Sequence, residues 1–185
     1  MEELKEIATE KCLLRSIKDD DAKAIFQIFS NPEVIRYWDH VAWDDLSEAA
    51  VFVQNACKGF EECLHFYWAV CNKVNGNVVG ICGLRDYSQD HKTIEILYAL
   101  LPKYWGQGIA SEMIPKVVEF GFDSLDLNRI QATTGPRNVA STKVLLNNGF
   151  KLEGVLRENW VYPGENPTDT NVLGLIKSEW IQTKI

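Results

Sequence analysis

Apolar residues recur along this chain at two spacings, alternation and the three-and-four step of a helix, and the changes between them mark out its elements. Cys12 to Ser16 is a short β-rich run. Asp19 to Asp21 then offer N-caps for a helix whose Ile25, Phe26, Ile28 and Phe29 form one apolar face, closed by Asn31-Pro32. Asp44 or Asp45 caps a second helix with Leu46, Ala49, Ala50, Val53, Ala56 and Phe60 at helical spacing, running to about Cys63. His65 to Val74 and Asn77 to Leu84 are β-rich runs around Asn75-Gly76, a pair suited to a type I′ hairpin turn.

Thr93 to Leu101 is the next strand, followed from Gly106 to Phe122 by an amphipathic helix that Pro115 is expected to kink. Arg129 to Thr134 reads as a strand and Asn138 to Asn148 as a helix with Gly149 at C′. Phe150 to Leu156 and Asn171 to Lys177 are the last strands, whereas Met1 to Lys11 is charged and helical in composition. Hairpin strands followed by strand-helix-strand units predict a mixed α/β sheet of about seven strands flanked by helices. With no repeat, linker or composition shift, residues 1–185 are expected to form one domain.

Composition narrows the function more than the fold. The chain has 185 residues, 46% hydrophobic and 24% charged, which excludes disordered and collagenous classes. Nineteen Lys and Arg against 26 Asp and Glu give a net charge of −7. That balance, with no block of Lys and Arg, argues against bulk nucleic-acid binding and mildly favours a cationic ligand such as an amine. No apolar run reaches the roughly 18 residues of a membrane span and no secretory signal is visible, so a cytoplasmic location is expected. The five cysteines, Cys12, Cys57, Cys63, Cys71 and Cys82, include no C-x-x-C pair and read as free thiols among apolar neighbours. Three His and five Cys show no paired ligand spacing, so no metal site is expected.

The candidate chemistry begins where the strand ending at Leu101 passes through Pro102-Lys103-Tyr104 into Trp105-Gly106-Gln107-Gly108-Ile109-Ala110. Glycines at a helix N-terminus let an anion approach backbone N–H groups that have no intrahelical partner, at the positive end of the helix dipole. A P-loop would need Gly-Lys-Ser/Thr, but Ile109-Ala110 follow Gly108. A dinucleotide fingerprint would need glycine where Ser111 stands. Downstream lies a second landmark: Asn138-Val139-Ala140-Ser141, Leu145 and Asn148-Gly149-Phe150, a helix running into a strand.

With these two landmarks the chain resembles the GNAT acyl-CoA N-acyltransferases over nearly its whole length. Glu95, Tyr98, Pro102, Tyr104 to Ala110, Asn138, Ser141, Gly149-Phe150, Glu153 to Glu158 and Glu179-Trp180 resemble in particular the ribosomal-protein N-terminal alanine acetyltransferase subgroup. The resemblance implies a GNAT fold and acetyl-CoA as acyl donor. It implies CoA contacts at the backbone of Leu100, at Trp105, Gly106, Gln107, Gly108, Ile109 and Ala110, and at Asn138 and Ser141. It also implies that the Leu100 N–H stabilises the oxyanion. A homodimer is compatible with it, since members of the family often pair.

Two departures matter. Trp105 stands where many relatives of the wider superfamily have Arg or Gln, so phosphate binding leans on backbone donors. Leu145 stands where many have the Tyr that protonates the leaving thiolate, which makes Ser141 the nearest replacement, unless its hydroxyl back-bonds its own helical turn. For the base, strand alternation puts Glu95 on the face of Leu97 and Ala99, opposite Tyr98, where it could take a proton through water or be tied up in a salt bridge. Tyr37, Trp38, Trp43, Arg157, Glu158, Trp160 and Tyr162 lie in segments expected to border the acceptor cleft.

The expectation is therefore an acetyl-CoA-dependent N-acetyltransferase of a primary amine, foremost the N-terminal α-amine of a ribosomal or other protein or peptide, by direct attack in a ternary complex. Transfer to a small amine such as a polyamine, amino acid or antibiotic stands beside it, as does a non-catalytic acyl-CoA sensor.

Overall fold

Alternating and helical segments assemble around one long sheet in a computed structural model that describes residues 4–38 and 40–182. The first half contributes β1 (Ile7–Ala8), β2 (Cys12–Ser16), α1 (Ala22–Phe29), α2 (Pro32–Ile35), α3 (Leu46–Glu61), β3 (Phe66–Asn72), β4 (Val78–Ser88) and β5 (Thr93–Leu100). The second contributes α4 (Ile109–Ser124), β6 (Arg129–Thr134), α5 (Val139–Asn147), β7 (Lys151–Trp160), β8 (Thr168–Ile176) and α6 (Lys177–Gln182). Strand order is β1-β2-β3-β4-β5-β6-β8-β7, antiparallel throughout except for β5 and β6.

The mixed α/β sheet is as the pattern predicts, with eight strands among the described residues instead of about seven. The additional one is β1, within a stretch whose composition reads as helical. Two residues are too few to show alternation, and pairing decides the conformation: Ile7 and Ala8 lie opposite Leu14 and Leu13. Thr9 bonds Cys12 through backbone and hydroxyl, which closes the turn. Met1 to Glu3 lie outside the described residues.

Local signals were otherwise strong. Asp45 caps α3 by accepting from Ser47 N at 2.7 Å, and Asn31 caps α2 by accepting from Glu33 N at 2.9 Å. The β3–β4 hairpin is not a type I′ turn, because Gly76 alone takes positive φ, at 72°, while Asn75 does not. Its loop spans four residues, with the Gly76 N–H returning to the Asn72 carbonyl at 2.8 Å and the Asn72 N–H bonding Asn77 O. Helix α4 starts at Ile109 instead of Gly106, because Gly106 and Gly108 sit at φ 70° and 82° and make a left-handed turn before it. It runs on through Pro115. The segment after β8 forms α6, whose Trp180 ring lies 5.1 Å from that of Phe122.

Each face of the sheet carries its own core. Leu14, Phe66, Trp68, Ile94 and Ile96 pack with Met113, Val117 and Leu145 on the side of α4 and α5. Ala69, Ile81 and Ala99 pack with Ile25, Phe29 and Val53 on the side of α1 and α3. Alternation along β5 thus sends Ile94, Ile96 and Leu100 to one core and Ala99 to the other.

Candidate active site

Strand β5 is not paired to the same depth on its two edges. Toward β4 the register runs from Ser88 opposite Thr93 to Gly80 opposite Leu100. Toward β6, parallel pairing covers only Thr93 to Glu95, opposite Arg129 to Gln131. Past Glu95 the strands part, and Ile96 to Leu100 border a gap through the sheet. The Leu101 N–H bonds the Val79 carbonyl at 2.9 Å, so alternation turns the Leu100 amide to the opposite edge, toward the gap. On that edge the Leu100 carbonyl accepts the Trp105 indole N–H at 2.7 Å, pinning the glycine turn to the strand end.

The glycine turn presents bare backbone. A Cβ on Gly106 would meet nothing within 4 Å, and one on Gly108 would meet only Lys11 Nζ, at 3.4 Å. No side chain caps α4, while Glu112 N already bonds Gly108 O. The amides of Ile109, Ala110 and Ser111 therefore face outward as donors at the positive helix end. Such a cradle fits a diphosphate. Lys11 is held at its rim by Glu112. Arg36 stacks on the Tyr37 ring at 4.7 Å and reaches the Trp105 ring at 5.7 Å, placing a cation beside the turn.

On the α4/α5 face, the Tyr98 hydroxyl and Ser141 Oγ hydrogen-bond at 2.8 Å. Ser141 therefore does not spend its hydroxyl on its own turn; its N–H goes to the Asn138 cap at 3.2 Å. Leu145, one turn further on, is in the core at 1% exposure. Burial pushes the Tyr98 hydroxyl up to about 12, against the opposing pull of the Ser141 hydrogen bond.

On the opposite face, Glu95 is 7% exposed. Its Oε1 accepts from Thr133 Oγ1 at 2.5 Å, and its Oε2 lies 3.3 Å from Arg85 Nε and Nη2. Arg85 is its register partner on β4. Two connected hollows join these groups. A cleft of about 410 Å³ runs along Trp105 to Ala110, Leu100 and α5, of the size of a small-molecule site. A smaller polar pocket of about 90 Å³ holds Glu95, Arg85 and Thr133. Tyr37, Trp38, Tyr98, Asn138 and Ser141 line both.

The chain matches the acetyltransferase (GNAT) domain over residues 11–151. It belongs to the GNAT acetyltransferases. It is 37% identical over 171 residues, 92% of this chain and 96% of the relative, to the uncharacterized N-acetyltransferase YoaA of Bacillus subtilis (strain 168). The ribosomal-protein-S5-alanine acetyltransferase of Vibrio fischeri has the same fold, with TM-score 0.86 at 23% identity over 96% of this chain and 99% of that one. So does the spermidine N-acetyltransferase of Vibrio cholerae, solved with CoA and spermine, with TM-score 0.82 at 19% identity over 92% and 98%. This GNAT protein is accordingly an N-acetyltransferase, of a family whose acyl donor is acetyl-CoA.

Most of the site residues expected from the sequence of this GNAT enzyme meet around one cleft. Leu100, Trp105, Gly106, Gly108, Ile109, Ala110, Asn138 and Ser141 all line it, Ile109 through its backbone, since its side chain is buried. Gln107 does not: its side-chain amide folds back onto the Lys103 carbonyl at 2.6 Å. Sequence reading passed over Tyr98 as a site residue, although it stands among the residues that carry the family resemblance. It also passed over Arg36, Arg85 and Thr133, which only the tertiary fold brings in. Among the described residues lining the two hollows, Arg36, Arg85 and Lys143 are cations and Glu95 is the sole carboxylate. The net negative charge thus belongs to the rest of the surface. No described helix is long and apolar enough to cross a membrane.

Proposed function

We propose that this chain acetylates the N-terminal α-amine of a protein or peptide, in the cytoplasm, by direct attack on acetyl-CoA in a ternary complex. The observation that carries the reading is the gap between β5 and β6, which connects a phosphate cradle and hydroxyl pair on one face to a buried carboxylate on the other. The turn from Trp105 to Ala110 holds the diphosphate through backbone N–H groups, with Arg36 supplying charge. The Leu100 N–H donates to the thioester oxygen and stabilises the negative charge that grows there on attack. Five free thiols accord with a reducing compartment.

Proton movements divide between the two faces. Glu95 takes the proton of the attacking amine through water, while its bonds to Thr133 and Arg85 hold the carboxylate in place. Proton removal through a single water suits an α-amine with a pKa of about 8, already partly neutral, better than a lysine-like amine of about 10.4. On the other face one hydroxyl of the Ser141–Tyr98 pair donates to the departing sulfur while the other donates to its partner. A Tyr hydroxyl pushed up to about 12 is a far weaker acid than a thiol of about 8.5, so complete proton transfer to the sulfur is uphill. The pair therefore steadies a thiolate and does not neutralise it.

The acceptor class draws its support from charge. A polyamine carries several ammonium groups, and the hollows offer a single carboxylate already shared with Arg85. A sensor without turnover is less well supported, because the Ser141 hydroxyl, one helical turn before Leu145 and bonded to Tyr98 of β5, supplies a donor in place of the missing Tyr. The test is incubation with acetyl-CoA and a panel of short peptides, amino-acid amides and polyamines, read by mass spectrometry. Acetylation of peptide α-amines is expected; modification of polyamines alone would overturn the reading.

A further inference from the structure

Two buried side-chain polar atoms have no partner among the described residues, Trp160 Nε1 and Thr170 Oγ1. Both residues line the pocket that holds Glu95. Thr170 is only 2% exposed. Buried polar groups are almost always paired, and leaving one bare destabilises the fold, so two such atoms in one pocket mark a place where something else supplies the bond.

Strand register puts them on the same face as the carboxylate. Trp160 lies opposite Thr168, two residues from Thr170, and Thr133 lies opposite Val172, two residues beyond Thr170. Thr133 in turn bonds Glu95. Diagonal neighbours in a sheet are about 7–8 Å apart, within reach of long side chains, so these groups converge on one small pocket that can hold an amine and a polar group beside it.

The chemistry of the bare atoms specifies that second group. An indole N–H donates and never accepts, so its partner must be a lone pair. An ammonium cannot satisfy it, and the Arg85 guanidinium beside Glu95 repels a second positive charge. We propose that Trp160 Nε1 and Thr170 Oγ1 form an acceptor subsite that binds an oxygen close to the reactive amine, as the first carbonyl of a peptide or amino-acid amide provides. This rests on the α-amine reading and deepens it, by naming the residues that tell a peptide N-terminus from a plain alkylamine.

The test uses a matched pair of acceptors, alaninamide and isopropylamine, which differ in the carbonyl, with spermidine as third acceptor. kcat/KM is measured for the wild type, Trp160→Phe and Thr170→Val. Amine basicity differs between the two acceptors but cancels when their ratio is compared between wild type and variant. The wild type should prefer alaninamide at least tenfold. Trp160→Phe should raise the KM for alaninamide about tenfold more than that for isopropylamine, without altering acetyl-CoA affinity, and so collapse the ratio. Thr170→Val, nearly the same shape, should leave the Tm of the free protein unchanged or higher, because the hydroxyl it removes satisfies nothing.

If the ratio stays the same in both variants while alaninamide is turned over, the subsite is refuted and α-amine transfer survives. If spermidine is preferred by the wild type, or no α-amine is turned over while acetyl-CoA binds, the α-amine reading falls and the subsite with it.

Discussion

Replacing Gly108 by Ala separates the cost of a strained backbone from the cost of blocking a ligand. At φ 82° an L side chain sits in the left-handed region, at a cost of about 1–2 kcal/mol. The added Cβ meets no protein atom closer than the end of the Lys11 side chain at 3.4 Å, so no clash adds to that figure. For a chain of this length each kcal/mol moves Tm by about 2–4 °C, so a drop of about 2–8 °C is expected. Gly76 is the matched control: its φ is 72°, nothing lies within 4 Å of its Cβ position, and it sits in the β3–β4 hairpin away from the cleft. Gly76→Ala should lower the Tm by a similar amount.

The two variants part when acetyl-CoA is added. At a hundredfold excess over Kd the wild type and Gly76→Ala should both gain about 2.7 kcal/mol. In Gly108→Ala the methyl group stands where the diphosphate approaches the amides. A tenfold loss of affinity at the same ligand concentration leaves a gain of only about 1.4 kcal/mol, roughly half the shift. Thermal unfolding with and without ligand reads both quantities. Equal ligand-induced shifts in Gly108→Ala and Gly76→Ala would refute the assignment of the turn as the phosphate cradle.

Further outcomes follow from the two faces of the gap and from one surface ion cluster. Glu95→Gln should lower kcat by about 10²-fold or more with acetyl-CoA affinity unchanged, as steady-state kinetics beside a binding titration would register. Tyr98→Phe removes the 2.8 Å bond to Ser141, costing about 0.5–1.5 kcal/mol in denaturant unfolding, and should lower kcat without altering acetyl-CoA affinity. Asp126, held at about 2 by hydrogen bonds from Lys177 and Lys92, stabilises the fold above its ordinary value of 3.8 and loses that contribution as pH falls toward 2. The Tm gap between wild type and Asp126→Asn should be constant from pH 7 to 5 and close below pH 4; a gap that persists at pH 2 would contradict the linkage.

The sequence by itself determined the elements and the glycine turn before α4. Caps, periodicity and turn residues act within a few positions, so Asp45, Asn138 and Gly149 mark helix ends wherever the helices are placed. Gly106 and Gly108 could be recognised because two close glycines at a helix start serve a backbone conformation that other residues avoid. Alternation also placed Glu95 on its correct face. Local rules failed where pairing outweighed propensity: β1 has no periodic signal, and the Asn75-Gly76 hairpin takes a longer loop than its dipeptide suggests.

Only the tertiary structure decided which groups share a site. Tyr98 reaches Ser141 across 43 positions and Glu95 reaches Thr133 across 38, each through the order and register of strands that no local pattern encodes. The early end of β5–β6 pairing, which opens the gap, depends on where two distant strands diverge. Trp160 and Thr170 look like ordinary strand residues until the sheet buries their polar atoms without partners. Periodicity is a property of neighbours along the chain, whereas a catalytic cleft is a property of surfaces that meet only after the chain has folded.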